Sequence, residues 1–216
     1  MVGVKRGACP ARSDRRAGGP SGLFHADPAS LADILAVMAD KLLIVIDTQV
    51  GFTRRGNLAS QRTTAAVPRI RRIVEEEMAA GTPIVFTKDS HVENDREFEM
   101  FPPHCIVGTE EHDLVEELRE FEDDAAAVIE KTRYSAFYGT ELEKVLEQHQ
   151  PDEVHMVGVC TDICVLHTAA DLRNRDYRVV IRSEGVETFD APGHEGEEVN
   201  RFALAHAEGI LGAKVV

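Results

Sequence analysis

The chain predicts an α/β fold of three layers, a mostly parallel, Rossmann-like sheet with helices on both faces. From Lys41 onward, short apolar runs alternate with segments of helical periodicity, and that alternation builds parallel β–α–β units. Within each run successive residues are apolar, without the every-second-residue pattern of a half-exposed strand, so the strands are buried on both faces. Charged and sulfur-bearing residues then follow directly after the runs. Open α/β sheets keep their chemistry at that place, outside the carboxyl ends of the strands.

The elements read in order as follows. Leu42-Leu43-Ile44-Val45-Ile46 is the first strand. Val67, Ile70, Val74 and Met78 recur at helical spacing, and Gly81 with Pro83 ends that helix. Ile84–Thr87 is the second strand, Leu114 and Leu118 mark a short helix, and Ala126–Ile129 is the third strand. Leu142, Val145 and Leu146 give a helix before the strand Val154–Val159. A helix through Ala170 and Leu172, the strand Val179–Ile181, a helix near Glu195–Ala207 and the run Lys214–Val216 complete the pattern.

The 216 residues suffice for one well-buried domain and are few for two. Residues 1–37 stand apart: Met1–Gly22 is rich in Arg, Gly, Pro and Ser, without apolar periodicity, and Leu31–Met38 has the length of one short helix. Their basic residues suit a presequence, but Gly and Pro interrupt any amphipathic helix there. We expect a disordered tail or start-site extension over 1–37 and the folded domain over 38–216. The formal charge of −14, from 24 basic and 38 acidic residues, argues against a nucleic-acid or anionic-membrane surface. No apolar stretch reaches bilayer-spanning length. Cys9, Cys105, Cys160 and Cys164 form neither a disulfide framework nor paired zinc spacing, so reduced thiols in a cytoplasmic protein are expected.

Four polar groups fall at strand ends: Asp47, Lys88-Asp89-Ser90-His91, Lys131 and Cys164. Any one of them is an ordinary loop start; four in register call for a common purpose. Cys164 falls in the first turn of the helix after Val159, where the dipole favours a thiolate and backbone N–H groups are unpaired. A carboxylate, an ammonium and a thiol sharing one pocket make a workable set. Asp47 exchanges the proton, Lys131 supports negative charge, and Cys164 attacks. The backbone N–H groups of Cys160 and Cys164 would form an oxyanion hole. The bland alternative is an Asp–Lys ion pair beside a buried cysteine. No Gly-x-Gly-x-x-Gly follows the first strand, so no nucleotide cofactor is expected.

Three segments carry a family resemblance: Val45-Ile46-Asp47-Thr48-Gln49 with Phe52, Lys131-Thr132-Arg133-Tyr134-Ser135-Ala136-Phe137, and Gly158-Val159-Cys160-Thr161-Asp162-Ile163-Cys164-Val165. Together they resemble the signature segments of the isochorismatase-like cysteine hydrolases, over about residues 41–216. The resemblance implies a catalytic triad of Asp47, Lys131 and Cys164, a non-proline cis peptide at Val159–Cys160, and a homo-oligomer.

Asp89-Ser90-His91, Glu97 and Phe101-Pro102-Pro103-His104-Cys105-Ile106-Val107-Gly108-Thr109 are similar to the metal-site segment of nicotinamidases. Two imidazoles with one or two carboxylates suit one divalent transition metal, zinc, iron or manganese, here from Asp89, His91, Glu97 and His104. Glu93 and Glu99 compete with Glu97, and a solvated acidic loop is the bland alternative. The resemblance makes Phe52 and Tyr134 the residues that enclose a pyridine ring, although core packing explains Phe52 equally well. The implied reaction is hydrolysis of nicotinamide, with pyrazinamide also accepted, to the acid and ammonia through a Cys164 thioester, in NAD salvage. The metal, receiving the pyridine nitrogen, would act apart from the acylating residues. The rivals are a same-fold hydrolase acting on a non-pyridine substrate and a non-catalytic binding module. His25, His112, His149, His155, His167, His194 and His206 read as surface or helix residues.

Overall fold

The computed structural model describes residues 39–216, so the expected tail and the short helix before Ala39 lie outside the described residues. Six strands form one sheet: β1 Lys41–Ile46, β2 Ile84–Asp89, β3 Ala127–Lys131, β4 Glu153–Val159, β5 Arg178–Glu187 and β6 Lys214–Val215. Their order is β3-β2-β1-β4-β5-β6 and every pairing is parallel. The chain runs outward from β1 to β3, then returns to the other side of β1 for β4. The strand order therefore reverses between β1 and β4, which opens a crevice at their carboxyl ends.

The unbroken apolar runs supply a core on each side. Leu43, Val45, Ile84, Phe86 and Val157 pack with α2 (Gln61–Ala79) and α3 (Glu116–Arg119) through Val67, Ile70, Ile73, Val74 and Leu118. Leu42, Ile44, Ile46, Val154, Met156 and Ile181 face the opposite way. They pack with α4 (Leu142–His149), α5 (Leu166–Asn174) and α6 (Gly196–Gly209) through Leu142, Leu146, Ala169, Leu172 and Ala207. A single turn, α1 (Val50–Thr53), caps the site end of β1. Among the described residues no helix is long and apolar enough to cross a membrane.

Two local features show how the sequence sets this geometry. At the end of α2, Gly81 takes φ +77°, and the N–H groups of Gly81 and Thr82 donate to Met78 O at 2.9 Å and Glu77 O at 3.0 Å. This closes the helix with the paired bonds that a left-handed glycine allows. Gly158, at φ +120°, lies so close to β1 that a Cβ there would stand 2.0 Å from Ile46 O. Only glycine lets β1 and β4 approach this closely.

Three strands run further than their apolar runs. β2 continues to Asp89, β3 to Lys131 and β5 to Glu187, because the backbone ladder persists after the side chains turn polar. The register then pairs Lys88 with Glu130 and Asp89 with Lys131. Asp89 and Lys131 are thus the last residues of adjacent strands, where the sequence placed them in the loops that follow.

Candidate active site

The crevice gathers the strand-end residues. Asp47, Lys131 and Cys164 are all buried, directly after β1, at the end of β3 and on the turn after β4. Lys131 Nζ lies 2.7 Å from Asp47 Oδ2, 3.0 Å from Asp89 Oδ1 and 3.4 Å from Cys164 Sγ. Its contact with Asp47 is an ion pair without hydrogen-bond alignment, which leaves Asp47 Oδ2 free of any hydrogen bond. The other oxygen of Asp47 is occupied. Thr87 Oγ1 donates to Asp47 Oδ1 at 2.6 Å and accepts the Asp47 N–H at 3.1 Å. Thr87 thereby fixes both the backbone and the carboxylate of Asp47, a residue held at φ +41°.

Charge here is set by burial and by one ammonium. Burial raises the pKa of Asp47, with Lys131 opposing and Asp89 adding to the rise. Burial also pushes the Cys164 thiol well up, against the pull of Lys131. Lys131 itself is held well above its ordinary range, because its anionic neighbours, Asp47 first, outweigh burial. Cys164 sits in a π-helical turn, Thr161–Val165, ahead of α5, where burial works against the thiolate that a helix start favours and Lys131 works for it. Within that turn Ile163 and Val165 donate their N–H groups to Cys160 O at 3.2 and 3.1 Å. The peptide Val159–Cys160 is cis, as the resemblance implied.

Asp89, His91, Glu97 and His104 are all buried and present one ligand atom each within 4.8 Å of one another. His91 Nε2 and His104 Nε2 converge on Asp89 Oδ2 at 3.1 and 3.2 Å. Their far nitrogens are held from outside: His104 Nδ1 donates to Pro102 O at 2.8 Å, and His91 Nδ1 lies 3.1 Å from Asp95 Oδ2. Two imidazoles turned inward on Nε2, each anchored on Nδ1 by an oxygen, form the usual surround of a metal ion. Neither ring nitrogen of His91 achieves hydrogen-bond alignment, and Glu97 Oε2 is buried without a partner. The residues present therefore fit a divalent ion, and the buried cluster could hold one. Glu97 is buried in this cluster while Glu93 and Glu99 are exposed, which settles the competition among the three carboxylates.

The metal cluster and the acylating set are not separate, as the sequence had suggested. Asp89 belongs to both, giving Oδ1 to Lys131 and Oδ2 to the histidines. Burial alone would raise this carboxyl, but Lys131, His104 and His91 hold it far below the ordinary carboxylate range. Gln49 keeps it in place. The Gln49 amide donates to Asp89 O and His112 O, both at 2.9 Å, and accepts the Asp89 N–H at 2.7 Å.

Phe52 and Tyr134 both line the pocket above Cys164, with Phe101, Ile163 and Phe189. Phe52 also packs on Cys105 and Val159, which is the core packing that the sequence offered as its other explanation. Thr87, Asp95 and Phe189 went unrecognised in the sequence, for a lone threonine, aspartate or phenylalanine carries no spacing signal. The surface reading of the histidines needs correction at three positions. His112 is buried with Nε2 at 2.7 Å from Ser90 Oγ, His155 lies within β4, and His194 pairs with Asp162 at 2.9 Å.

Comparison with known proteins agrees with this geometry. The isochorismatase domain model matches residues 41–208. The uncharacterized isochorismatase family protein PncA of Bacillus subtilis (strain 168) is 41% identical over 154 residues, 68% of this chain and 81% of that protein. The crystal structure of nicotinamidase PncA from Bacillus subtilis matches with a TM-score of 0.74 at 36% identity, over 82% of this chain and 99% of that one. Pyrazinamidase of Pyrococcus horikoshii, solved in complex with zinc, matches with a TM-score of 0.72 at 29% identity, over 82% and 98% of the two chains. The chain belongs to the isochorismatase family of hydrolases, in the branch of the nicotinamidases.

Proposed function

We propose that this chain hydrolyses nicotinamide to nicotinate and ammonia, with Cys164 as nucleophile, Asp47 as proton carrier and Lys131 as the buried cation between them. The observation that carries the reading is the single ammonium of Lys131 within 3.4 Å of Asp47, Asp89 and Cys164 at the floor of an aromatic pocket. A thiol and a carboxylate that meet the same ammonium are placed to act as nucleophile and base. Asp47 Oδ2 takes the thiol proton as sulfur attacks the carboxamide carbon. The C–S bond forms, and negative charge moves to the carbonyl oxygen, facing the N–H groups of Cys160 and Cys164. Asp47 then hands its proton to the amide nitrogen, the C–N bond breaks and ammonia leaves. In the second half Asp47 draws a proton from water, the hydroxide attacks the thioester, and the acid departs as the thiol is restored.

Asp89, His91, Glu97 and His104 would hold one divalent transition ion, which supplies an acceptor for the lone pair of a pyridine nitrogen. Phe52 and Tyr134 enclose the ring, leaving the carboxamide over Cys164. Pyrazinamide, with a nitrogen at the corresponding place, suits the same pocket.

Ammonia release from nicotinamide by the full chain, with and without added zinc, tests the reading. Turnover is expected, and Cys164→Ala should abolish it while Cys160→Ala keeps most of it. Equal loss in both variants would remove Cys164 as sole nucleophile, and no release from nicotinamide under any metal condition would refute the substrate.

A further inference from the structure

Asp162 stands between Cys160 and Cys164 on the nucleophile turn, and both its oxygens are engaged. Thr188 Oγ1 donates to Asp162 Oδ1 at 2.6 Å, and His194 Nε2 lies 2.9 Å from Oδ2. The other nitrogen of His194, Nδ1, lies 3.0 Å from Phe189 O. A carboxylate and a backbone carbonyl can only accept, so both bonds exist together only when both ring nitrogens carry hydrogen. His194 is therefore an imidazolium in this arrangement. Its ring lies flat on Phe189, with centroids 4.1 Å apart and planes 3° from parallel. Ala191 and His194 exchange two backbone hydrogen bonds, at 3.0 and 2.8 Å, closing the loop into a tight turn. Phe189 in turn lines the pocket with Ile163 and Cys164.

We propose that the His194 imidazolium is a positioning residue that ties Asp162 of the nucleophile turn to the loop carrying Phe189, and so fixes the spacing between Cys164 and the aromatic wall facing the substrate ring. The proposal rests on the nicotinamidase reading for its substrate and on geometry for its clamp. When the ring loses a proton, one of its two bonds must go, and the wall is released. The charged groups on the packed elements are Asp162 on the turn, Glu187, Asp190 and Glu195 around the loop, and Arg62 of α2, which binds Glu187 at 2.9 Å. Burial lowers the pKa of His194, but the bonded Asp162 outweighs it, so the value is raised. A raised value means the clamp holds to a higher pH than an ordinary histidine would allow and is lost as pH rises through it.

Long-range 1H–15N spectra of the full chain labelled at histidine read the charge of His194 directly. At pH 6 both of its ring nitrogens should show the protonated form, with a midpoint above the ordinary histidine value of about 6.5. His194→Ala should raise KM for nicotinamide about five- to twentyfold and leave kcat within about threefold, because the chemistry does not pass through this ring. Iodoacetamide should also label Cys164 faster in that variant, as read by peptide mass spectrometry. Asp162→Asn, which removes the charge and keeps the shape, should raise KM in the same way and lower the His194 midpoint, and it serves where His194→Ala does not fold. A single neutral tautomer at pH 6, or an unchanged KM in both variants, would overturn the proposal. Should the unsubstituted chain release no ammonia from nicotinamide, the nicotinamidase reading falls alone. Imidazolium signals and faster labelling in His194→Ala would still uphold the clamp, and their absence would overturn it.

Discussion

Replacing Thr87 by Val tests the geometry around the base more sharply than removing the base itself. The two side chains have nearly the same shape, so the substitution deletes one hydroxyl and little else. That hydroxyl makes two buried contacts, donating to Asp47 Oδ1 at 2.6 Å and accepting the Asp47 N–H at 3.1 Å. Losing a hydrogen bond to a carboxylate costs about 1.5–3 kcal/mol, and leaving a buried N–H unpaired costs about 1–3 kcal/mol. The new methyl returns about 0.8 kcal/mol. The net loss is about 2–5 kcal/mol, which for a domain of this size lowers Tm by about 4–20 °C.

The same substitution removes a donor that holds the Asp47 pKa down, so a carboxyl already raised by burial rises further. A raised carboxyl costs stability once pH exceeds the ordinary carboxylate range. The deficit of Thr87→Val against the parent should therefore be smallest in acid and grow as pH rises. Turnover needs ionised Asp47, so the acid limb of the kcat profile should move to higher pH. At neutral pH kcat should fall by about 10- to 100-fold with KM little changed, since Thr87 does not line the pocket. Thr87→Ser keeps the hydroxyl and should recover most of both losses. Ammonia release over a pH series and thermal melts of the three proteins decide the matter. A Thr87→Val protein that matches the parent in Tm and in kcat would refute the reasoning.

Gly158→Ala puts a Cβ 2.0 Å from Ile46 O at φ +120°, so β1 and β4 must separate. The cost should exceed about 4 kcal/mol, seen as a fall in Tm of about 10 °C or more or as loss of soluble protein, and a variant melting like the parent would contradict the close approach. Zinc content after dialysis should drop in Asp89→Asn, His91→Ala and His104→Ala and drop less in Glu97→Ala, where water can refill one position. The two histidine variants should mainly raise KM for nicotinamide, whereas Asp89→Asn should also lower kcat because it strips a counterion from Lys131. Full zinc content in His91→Ala and His104→Ala would remove the site.

The sheet and its helices are legible from the chain because unbroken runs such as Leu42–Ile46 have no other stable home than a strand covered on both faces. The strand ends are legible only in part. Hydropathy stops at Thr87 and Ile129, but hydrogen bonding carries β2 and β3 two residues further, to Asp89 and Lys131. That extension brings the two side chains opposite each other in register, a fact that no pattern of apolar residues contains. Asp47, Asp89, His91, Glu97, His104, Lys131 and Cys164 carry distinctive residue types at distinctive places, and the fold gathers them in one crevice. Thr87 and Asp95 act on those residues from the far side, Thr87 through hydrogen bonds to Asp47 and Asp95 through a charge contact with His91, and nothing in their spacing marks them. The balance of forces on the Cys164 thiol is hidden from the sequence for a related reason. Helix position can be read from sequence, whereas burial among two carboxylates and one ammonium can be read only from the assembled crevice.

The charge count in that crevice bears on which ion the site suits. Asp47, Asp89 and Glu97 are buried together, and Lys131 is the buried ammonium among them. With all three carboxylates ionised the group carries a net charge of two negative units, which is costly away from water. Without an ion the group relieves itself by protonation, and the pKa values of Asp47 and Glu97 are indeed raised. A divalent cation at Asp89, His91, Glu97 and His104 brings the same group to neutrality with every carboxylate ionised. A monovalent cation leaves a negative unit buried, and a trivalent one leaves a positive unit. Binding then releases the protons held before, so affinity should rise with pH. It should also leave Asp47 ionised more often, because the ion offsets the charge of Asp89, which raises Asp47 through space. A carboxylate shared between the two halves of the site thus makes loading of one half favour the basic form of the other.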